Sequence, residues 1–579
     1  MCSTDAAPTG ANMSRRDQGR EKEHWGSSVG VVLAVAGGAI GLGNFLRFPG
    51  QVATYGGGAF MIPYFVSMLI VALPLAWSEW ALGRNGGRRG YHSQPAIYRA
   101  AGNGKTIWGV CGGICSLAPL VICMYYVFIE SWCLLYALQY LGGCLRSSGL
   151  GFSLFPSLEA GLKMSDSASY EAFFSQFVGM SGDGSLFRDI FSSPLLLATA
   201  ACAAANFTLI YFGIARGIER FCKIATPLLL LCSVLVILRV ATLGNPTGVE
   251  GQSFVDGLGF MWNPSRPLLD ESGAVVGQTS VWTALANPEV WLAATAQIFF
   301  STSICLCAIT SYASYVKPND DIALSGLTAV AANEFCEVAL GGLMTIPAAI
   351  MFFGFAAAES FDSSFAMGFV VLPNVFGLTP GGEFFGFLFF SLLFLAGLTS
   401  SISLVQPTVA LTQEAFRWSR GVSVAATLAV NLVGIGVVCW FTKNLAALDS
   451  FDFWLANFTP FVFALLQTCL VAWVWGTDKM TAELERGAKI RPPRALGFVV
   501  KFVSTPYLAI IFALWLWNNL GARLAGVAQD RAAQVTLAFI GLLTATLIGV
   551  SLKASRRWRR EEEEGGARTE ETQNIAATK

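Results

Sequence analysis

The chain has 579 residues, of which 54% are hydrophobic and 13% are charged, with 37 basic and 37 acidic side chains. Soluble proteins usually carry about 25% charged residues, so this composition excludes an ordinary soluble domain and indicates a membrane protein. The formal net charge of zero gives no reason to expect a nucleic-acid partner. The two histidines, His24 and His92, are too few for a multi-histidine metal site.

Twelve apolar segments are candidates to cross a bilayer as helices, which takes about 20 residues each. Ten are free of Asp, Glu, Lys and Arg: 25–46, 60–78, 106–129, 195–215, 290–316, 384–413, 421–442, 453–477, 502–522 and 532–552. The other two, 224–238 and 338–358, are bordered by charged residues that can reach the interfaces or extend the same helix. The sequence therefore predicts an all-α integral membrane protein with twelve transmembrane helices.

Basic residues are distributed unevenly between the two sides of the membrane in this topology. With both termini inside, the inner segments contain 28 Lys or Arg and the outer loops contain 8. The positive-inside rule therefore places both termini in the cytoplasm. We expect a cytoplasmic tail at 1–24, a membrane domain at 25–553, and a second cytoplasmic tail at 554–579. The charge runs from Arg556 onward predict that this second tail is disordered.

The first span contains four glycines in seven residues, from Gly37 to Gly43, followed by Asn44. Each glycine costs about 1 kcal/mol relative to alanine in a helix interior. Close helix packing is one explanation for the run. The other is an unwound helix centre, whose free N–H groups suit a carboxylate and whose free carbonyls suit a sodium ion or an ammonium group.

The sixth span carries a polar run at its middle, Ser301-Thr302-Ser303. Hydroxyls in such a run can simply bond back to the helix. However, the sixth span opens a second set of five spans, as the first span opens the first set. Broken helices at matching positions of two repeats point to a binding site between them. We predict repeats at about 25–243 and 290–477, followed by two extra helices at about 495–553.

Several longer motifs resemble those of the neurotransmitter:sodium symporter family, most closely its bacterial amino-acid transporters. They are AIGLGNFLRFP (39–49), GGGAFMIPY (56–64), YYVFIESW (125–132), QIFFSTS (297–303), ANEFCEVALGG (332–342), AGLTSSISLVQP (396–407) and FDFW (451–454). The resemblance covers roughly residues 22 to 550. It implies a leucine-transporter-like fold of two inverted five-helix repeats with broken helices 1 and 6, and an alternating-access mechanism.

The resemblance implies two sodium ions as cofactors. The first would be held, together with the substrate carboxylate, by Ala39, Asn44, Ser301 and Asn333. The second would be held by Gly37, Ile40, Ala396, Thr399 and Ser400. These ligands are oxygen atoms, which suit a hard cation. For the two asparagines, hydrogen bonding between helices is the alternative role.

The resemblance also implies a substrate site at the two helix breaks. It would be formed by Ala39, Leu42, Gly43, Ile122, Tyr126, Phe300, Ser301, Ser303, Cys305, Leu306, Ser400 and Leu404. Monoamine carriers of the family have an aspartate where this chain has Gly41, so the substrate is expected to bring its own carboxylate. The apolar lining favours a neutral amino acid. Cys305 stands where bacterial relatives commonly have glycine, which favours a small-to-medium hydrophobic side chain.

Two closures are implied by the same resemblance. The outer one would pair Arg47 with Asp452, and the inner one would pair Lys22 with Glu414 near Trp25 and Tyr315.

Glu337 stands where chloride-requiring members of the family have a serine. Its carboxylate is expected to replace chloride, and it is a candidate for carrying a proton outward. A purely structural carboxylate, held by hydrogen bonds, is the alternative.

The predicted function is sodium-coupled amino-acid symport across the cell (inner) membrane. The alternative is a sensor or regulatory binding protein of the same fold that does not transport. The spans contain no paired nucleophile and base and no metal cluster, so an enzyme is not expected. The sequence leaves open which amino acid is carried, and whether the protein forms a homo-oligomer.

Overall fold

A computed structural model describes residues 24–146, 149–153, 167–180, 185–189, 193–265, 267–269, 275–278, 280–360 and 364–577. Lys22, the proposed inner-closure cation, lies outside the described residues.

Ten helices in this part of the chain are long and apolar enough to cross a membrane: Gly58–Arg88, Thr106–Leu145, Pro194–Tyr211, Ile214–Thr242, Ile322–Phe355, Gly382–Phe416, Arg420–Trp440, Lys443–Glu485, Leu496–Gln529 and Arg531–Glu564. An eleventh span is the bent pair Val29–Ala39 and Gly43–Thr54, whose halves meet at 46°. The short helices Pro288–Thr302 and Ala308–Ala313 together make the twelfth. The predicted all-α fold of twelve spans is confirmed, and the spans are numbered 1 to 12 in chain order.

Shorter elements connect the spans. The connecting helices are Gln94–Ala101, Ser167–Phe177, Leu186–Asp189, Phe254–Trp262, Val281–Ala286, Ser364–Ala366 and Met367–Leu378. A two-stranded antiparallel hairpin, Pro267–Leu269 with Val275–Gln278, lies between spans 5 and 6. Short π-helical segments interrupt the spans at Gly43–Arg47, Met68–Ala72, Ile214–Glu219, Phe335–Gly342, Phe453–Phe458, Leu470–Gly476 and Val500–Ser504.

Spans 3 and 8 form the most extensive helix–helix contact of the described chain. Span 8 also packs against span 5 and against the first half of span 1. The break in span 1 is therefore buried: Ile40, Leu42 and Asn44 are at most 4% exposed. Unwound backbone at this depth is tolerated only because it is enclosed by protein.

Span 12 continues past the membrane domain as one helix, Arg531–Ala577. Trp558 in this extension is only 4% exposed. Arg557 donates to the carbonyl of Glu414, and to that of Ala415 at 2.9 Å, at the end of span 8. The prediction of a disordered tail is wrong at this point, because an apolar side chain among the charges lets the helix dock on the bundle.

Candidate functional site

Span 1 unwinds within the glycine run. Its first helix ends at Ala39, and Ile40 is extended, with ψ at 92°. The freed Leu42 N–H donates to the Tyr126 hydroxyl of span 3 at 2.8 Å. A Cβ on Gly41 would lie 2.6 Å from Ser400 Oγ and 2.7 Å from Tyr126 Oη. Glycine is thus required at position 41 because spans 3 and 8 approach the unwound backbone there.

Span 6 unwinds within its polar run. The first helix ends at Thr302, and Ser303, Cys305 and Cys307 all have positive φ, at 55°, 63° and 62°. For residues with a side chain this left-handed conformation costs on the order of 1–2 kcal/mol each. One hydrogen bond offsets part of this conformational cost: the Cys305 N–H donates to the buried Glu79 carboxylate of span 2 at 2.7 Å.

The two breaks face each other across a tight cavity of about 20 Å³, which has room for about one water molecule. Its lining is Gly38, Ala39, Gly41, Gly43, Asn44, Ile122, Tyr126, Phe300, Ser301, Ser303, Leu306, Ser400 and Leu404. Ten of the twelve substrate residues inferred from the sequence are in this lining. Leu42 contributes its N–H to Tyr126 instead. Cys305 does not line the cavity, and its thiol lies 4.0 Å from Gln467 Oε1.

A cluster of oxygen atoms borders the cavity where spans 1, 6 and 7 meet. The side-chain oxygen of Asn333 lies 3.0 Å from the Ser301 carbonyl oxygen and 3.2 Å from that of Ala39. Oxygen atoms this close repel one another unless a proton or a cation lies between them. Rotating the amide would let its NH₂ donate to these two carbonyls, but it would also face that NH₂ against the Asn44 NH₂ at 2.8 Å. In the present orientation the Asn44 NH₂ donates to the Asn333 oxygen at 2.8 Å.

Asn44 cannot remove this conflict by rotating too, because its side-chain oxygen accepts from the Gly41 N–H at 2.9 Å. In this arrangement the Asn44 amide donates to the Asn333 oxygen, and the Ala39 and Ser301 carbonyl oxygens lie within 3.2 Å of that oxygen without a donor from either amide. Such a donor set fits an alkali cation.

A second group of oxygens lies between spans 1 and 8. The Thr399 hydroxyl is fully buried and donates to two carbonyls of its own helix, those of Leu395 at 3.0 Å and Ala396 at 3.1 Å. A Cβ on Gly37 would be 3.6 Å from the Thr399 Cβ, so the last turn of the first helix of span 1 packs closely against span 8. The same Cβ would lie 2.8 Å from Thr226 Oγ1 of span 5, a hydroxyl that sequence reasoning missed.

On the side opposite the termini, Arg47 and Asp452 are connected through Asn457, and within the described chain they form no direct ion pair. Arg47 donates to the Asn457 side chain, which donates to Asp452 Oδ2 at 2.9 Å. The Tyr125 hydroxyl donates to Asp452 Oδ1 at 2.8 Å. The Arg47 guanidinium lies 4.5 Å above the Phe300 ring. The cavity is therefore covered on this side.

On the side of the termini, Trp25 Nε1 donates to the Tyr312 carbonyl at 3.0 Å. The Tyr315 ring stacks on His92 at 4.2 Å. Glu414 accepts from the backbone N–H groups of His92 and Ser93, and from the Ser93 hydroxyl. The contact between Glu414 and the backbone of His92 and Ser93 could not be predicted from the sequence, because every residue type except proline offers the same backbone N–H donor.

The connection between spans 2 and 3, which contains His92, Ser93 and the helix Gln94–Ala101, also contacts the helical extension of span 12. The Arg99 guanidinium donates to both carboxylate oxygens of Glu562, each at 2.7 Å. The Tyr91 hydroxyl also donates to Glu562 at 3.3 Å, and burial and the Glu562 carboxylate raise the pKa of Tyr91 to about 12.

Glu337 is fully buried beside the oxygen cluster. It accepts from Gln297, and from the Asn333 amide at 3.4 Å. The Tyr64 hydroxyl donates at 2.7 Å to Glu334, one turn earlier on span 7. Two carboxylates, Glu334 and Glu337, therefore lie next to the first oxygen cluster, whereas the sequence analysis identified only Glu337.

The chain matches the model of the sodium:neurotransmitter symporter family over residues 22–552. An uncharacterized sodium-dependent transporter of Methanocaldococcus jannaschii is 29% identical over 477 residues, covering 81% of this chain and 86% of the relative. The human sodium- and chloride-dependent GABA transporter 2 is 27% identical over 509 residues, covering 82% of this chain and 76% of the relative.

Among solved structures, the crystal structure of MhsT in complex with L-phenylalanine has a TM-score of 0.68 to this chain at 24% identity. The match covers 85% of this chain and 99% of that chain. At this level of identity the similarity is one of fold.

Proposed function

Because the chain belongs to the sodium:neurotransmitter symporter family, we propose that it couples sodium entry to the uptake of a neutral, small-to-medium hydrophobic α-amino acid. Family membership makes it a multi-pass membrane transporter, not an enzyme, and makes sodium its coupling ion. The observation that carries the finer proposal is the cavity at the two helix breaks, bordered by the Ala39 and Ser301 carbonyl oxygens, which lie within 3.2 Å of the Asn333 side-chain oxygen.

The cavity offers separate partners for the two poles of an amino acid. A carboxylate would meet the start of the helix Gly43–Thr54 and the Tyr126 hydroxyl, where backbone N–H groups and the helix dipole favour negative charge. An ammonium group would meet carbonyls of Ala39, Phe300 and Ser301, with help from the Ser303 hydroxyl. Gly41 leaves no side-chain carboxylate to replace that of the substrate.

The apolar part of the lining, Ile122, Leu306 and Leu404, would contact the side chain of the substrate. The lining contains no charged side chain, which favours a neutral amino acid. The size preference rests on these three residues and Phe300, since the Cys305 side chain is directed elsewhere.

We assign two sodium sites. The first uses the Ala39 and Ser301 carbonyls, the Asn44 and Asn333 side chains, and the substrate carboxylate. The second uses Thr399 and Ser400 with carbonyls of Gly37, Ile40 and Ala396. A bound ion at the first site would relieve the repulsion among its oxygens and link the substrate to spans 1, 6 and 7. Because the ion would contact both the substrate carboxylate and the protein, sodium binding and substrate binding would each strengthen the other.

Transport proceeds by alternating access between an outer closure and an inner one. The outer closure consists of Arg47, Asp452 and Phe300, and the inner one of Lys22, Glu414, Trp25 and Tyr315. The buried charge of Glu337 supports independence from chloride, and the same carboxylate is the candidate carrier of a returning proton. Both termini are cytoplasmic in this proposal, with inverted repeats at about 25–243 and 290–477.

Uptake by purified protein in proteoliposomes tests the proposal. An inward sodium gradient should drive accumulation of a hydrophobic neutral amino acid, and dissipating the gradient should stop it. The competing function is a sensor of the same fold. It predicts sodium-dependent amino-acid binding in detergent without accumulation in vesicles, and that result would overturn symport.

A further inference from the structure

A buried carboxylate outside the proposed substrate and sodium sites holds the start of span 1. Glu219, near the start of span 5, is only 2% exposed. Its Oε2 accepts from the Gly26 N–H at 2.7 Å, and its Oε1 accepts from the Ser27 hydroxyl at 2.9 Å. Lys223, one turn further along span 5, donates to Oε1 at 2.6 Å.

The backbone of span 1 is built to admit this carboxylate. A Cβ on Gly30 would lie 2.1 Å from Glu219 Oε1, so any larger residue would displace the carboxylate. Ser27 also caps the helix, accepting from the Gly30 N–H at 3.0 Å. The negative charge of Glu219 therefore lies at the positive end of the helix dipole of Ser28–Ala39, where it is stabilised.

The same segment is fixed on its other side by span 6, through the bond from Trp25 to the Tyr312 carbonyl at 3.0 Å. The start of span 1 is thus held between spans 5 and 6, at the end of the bundle that carries the termini. The other end of this helix bears Gly37 and Ala39, whose carbonyls belong to the two proposed sodium sites.

We propose that Glu219 is a positioning residue that holds the inner half of span 1 closed, and that the release of Gly26 and Ser27 from its carboxylate accompanies opening of the site toward the cytoplasm. This role rests on the proposed function. The contact is suited to repeated opening, because Lys223 is 41% exposed and stays on the same helix as Glu219. When span 1 leaves, the carboxylate keeps its cationic partner and gains water, so the open state is accessible.

Hydrogen–deuterium exchange of the full-length protein, without substrate or sodium, tests this role. In Glu219→Gln one of the two oxygens becomes an amide group, so one donor of span 1 loses its acceptor. A hydrogen bond to a charged group is usually strong enough that its loss changes an opening equilibrium by about tenfold. We expect the amides of 29–36 to exchange about tenfold faster, and those of 48–54 to be unchanged. Adding sodium and substrate should restore slow exchange at 29–36.

Gly30→Ala tests the same contact in a second way. The added methyl group should push the Glu219 carboxylate away from span 1 sterically, while Glu219 keeps its negative charge. Glu383→Gln, at the exposed start of span 8, is the matched control and should match the native chain. If both test variants fold and exchange at 29–36 stays native in each, the proposal is overturned. Faster exchange throughout the bundle would overturn it as well, because it would indicate a general structural role. The exchange comparison needs no substrate, so it decides the role of Glu219 even if the native chain shows no sodium-dependent binding.

Discussion

The side-chain oxygen of Asn333 in span 7 lies 3.2 Å from the carbonyl oxygen of Ala39 in span 1. The Ala39 carbonyl is free because span 1 unwinds at the next residue. A helix break and a side chain almost 300 positions later are thereby brought to the same point. A cation there would join the two spans, so its loss should loosen the cavity as well as remove a charge.

Asn333→Ala removes one oxygen from this cluster, and we expect at least a tenfold rise in the sodium concentration needed for substrate binding, since contacts to charged groups are usually worth about 1.5–3 kcal/mol. Titrating sodium against binding of a labelled amino acid measures the change. Asn44→Ala should abolish the sodium-dependent signal. Asn431→Ala, a buried asparagine of span 9 that bonds only within its own helix, is the control. Native sodium dependence in both cluster variants would refute the site.

Gly41→Ala should weaken substrate binding by about tenfold or more, because overpacking a buried site usually costs about 1–3 kcal/mol. The new methyl group would overlap Ser400 Oγ and Tyr126 Oη. Gly436→Ala is a matched control, since a Cβ there meets nothing within 4 Å. Equilibrium binding at saturating sodium separates the two variants, and equal affinities would show that span 1 does not approach spans 3 and 8 as closely as described.

The amino-acid pattern was sufficient to predict the twelve spans and the break in span 1. Apolar length identifies spans, and a run of glycines identifies a place where helix is costly. The break in span 6 was harder to predict, because Ser303, Cys305 and Cys307 have no intrinsic preference for positive φ. Tertiary contacts impose that conformation, including the bond from the Cys305 N–H to Glu79.

Contacts across long sequence separations could not be predicted. Gly26 and Glu219 are 193 positions apart, and nothing in either residue type indicates the partner. Asn457 lies only five positions after Asp452, but its role between Arg47 and Asp452 depends on how spans 1 and 10 are placed. The high charge content of the segment after span 12 led to the prediction of a disordered tail, whereas the buried side chain of Trp558 packs this segment against the bundle.

Glu337→Ser should make transport depend on chloride. Removing the carboxylate leaves the Gln297 and Asn333 amides with only their remaining bonds, to the Gly43 carbonyl at 3.4 Å and the Ser301 hydroxyl at 3.3 Å, and a small anion can take its place. Uptake by the native protein should be the same in chloride and in gluconate, whereas the variant should be active in chloride only. Chloride-dependent uptake by the native protein would contradict the substitution of Glu337 for chloride.

Asn457→Leu should weaken the outer closure. Leucine has a similar size but neither accepts from Arg47 nor donates to Asp452, so the link between them is lost. We expect the substrate dissociation rate to rise by about tenfold, as for other contacts to charged groups. A washout measurement after loading with labelled amino acid gives this rate. An unchanged rate would indicate that Arg47 and Asp452 close the site without Asn457.

Trp558→Ala tests whether the helical extension of span 12 contributes to stability. Truncating a buried tryptophan usually costs about 3–5 kcal/mol, so the Tm of thermal unfolding in detergent should fall by several degrees. Trp517→Ala removes the same side chain from span 11, where it is 90% exposed, and should leave the Tm close to native. Sodium affinity should be unchanged in both variants, because neither residue borders the oxygen clusters. A native Tm for Trp558→Ala would mean that Arg557 and the pair of Arg99 with Glu562 hold the extension without its apolar contact.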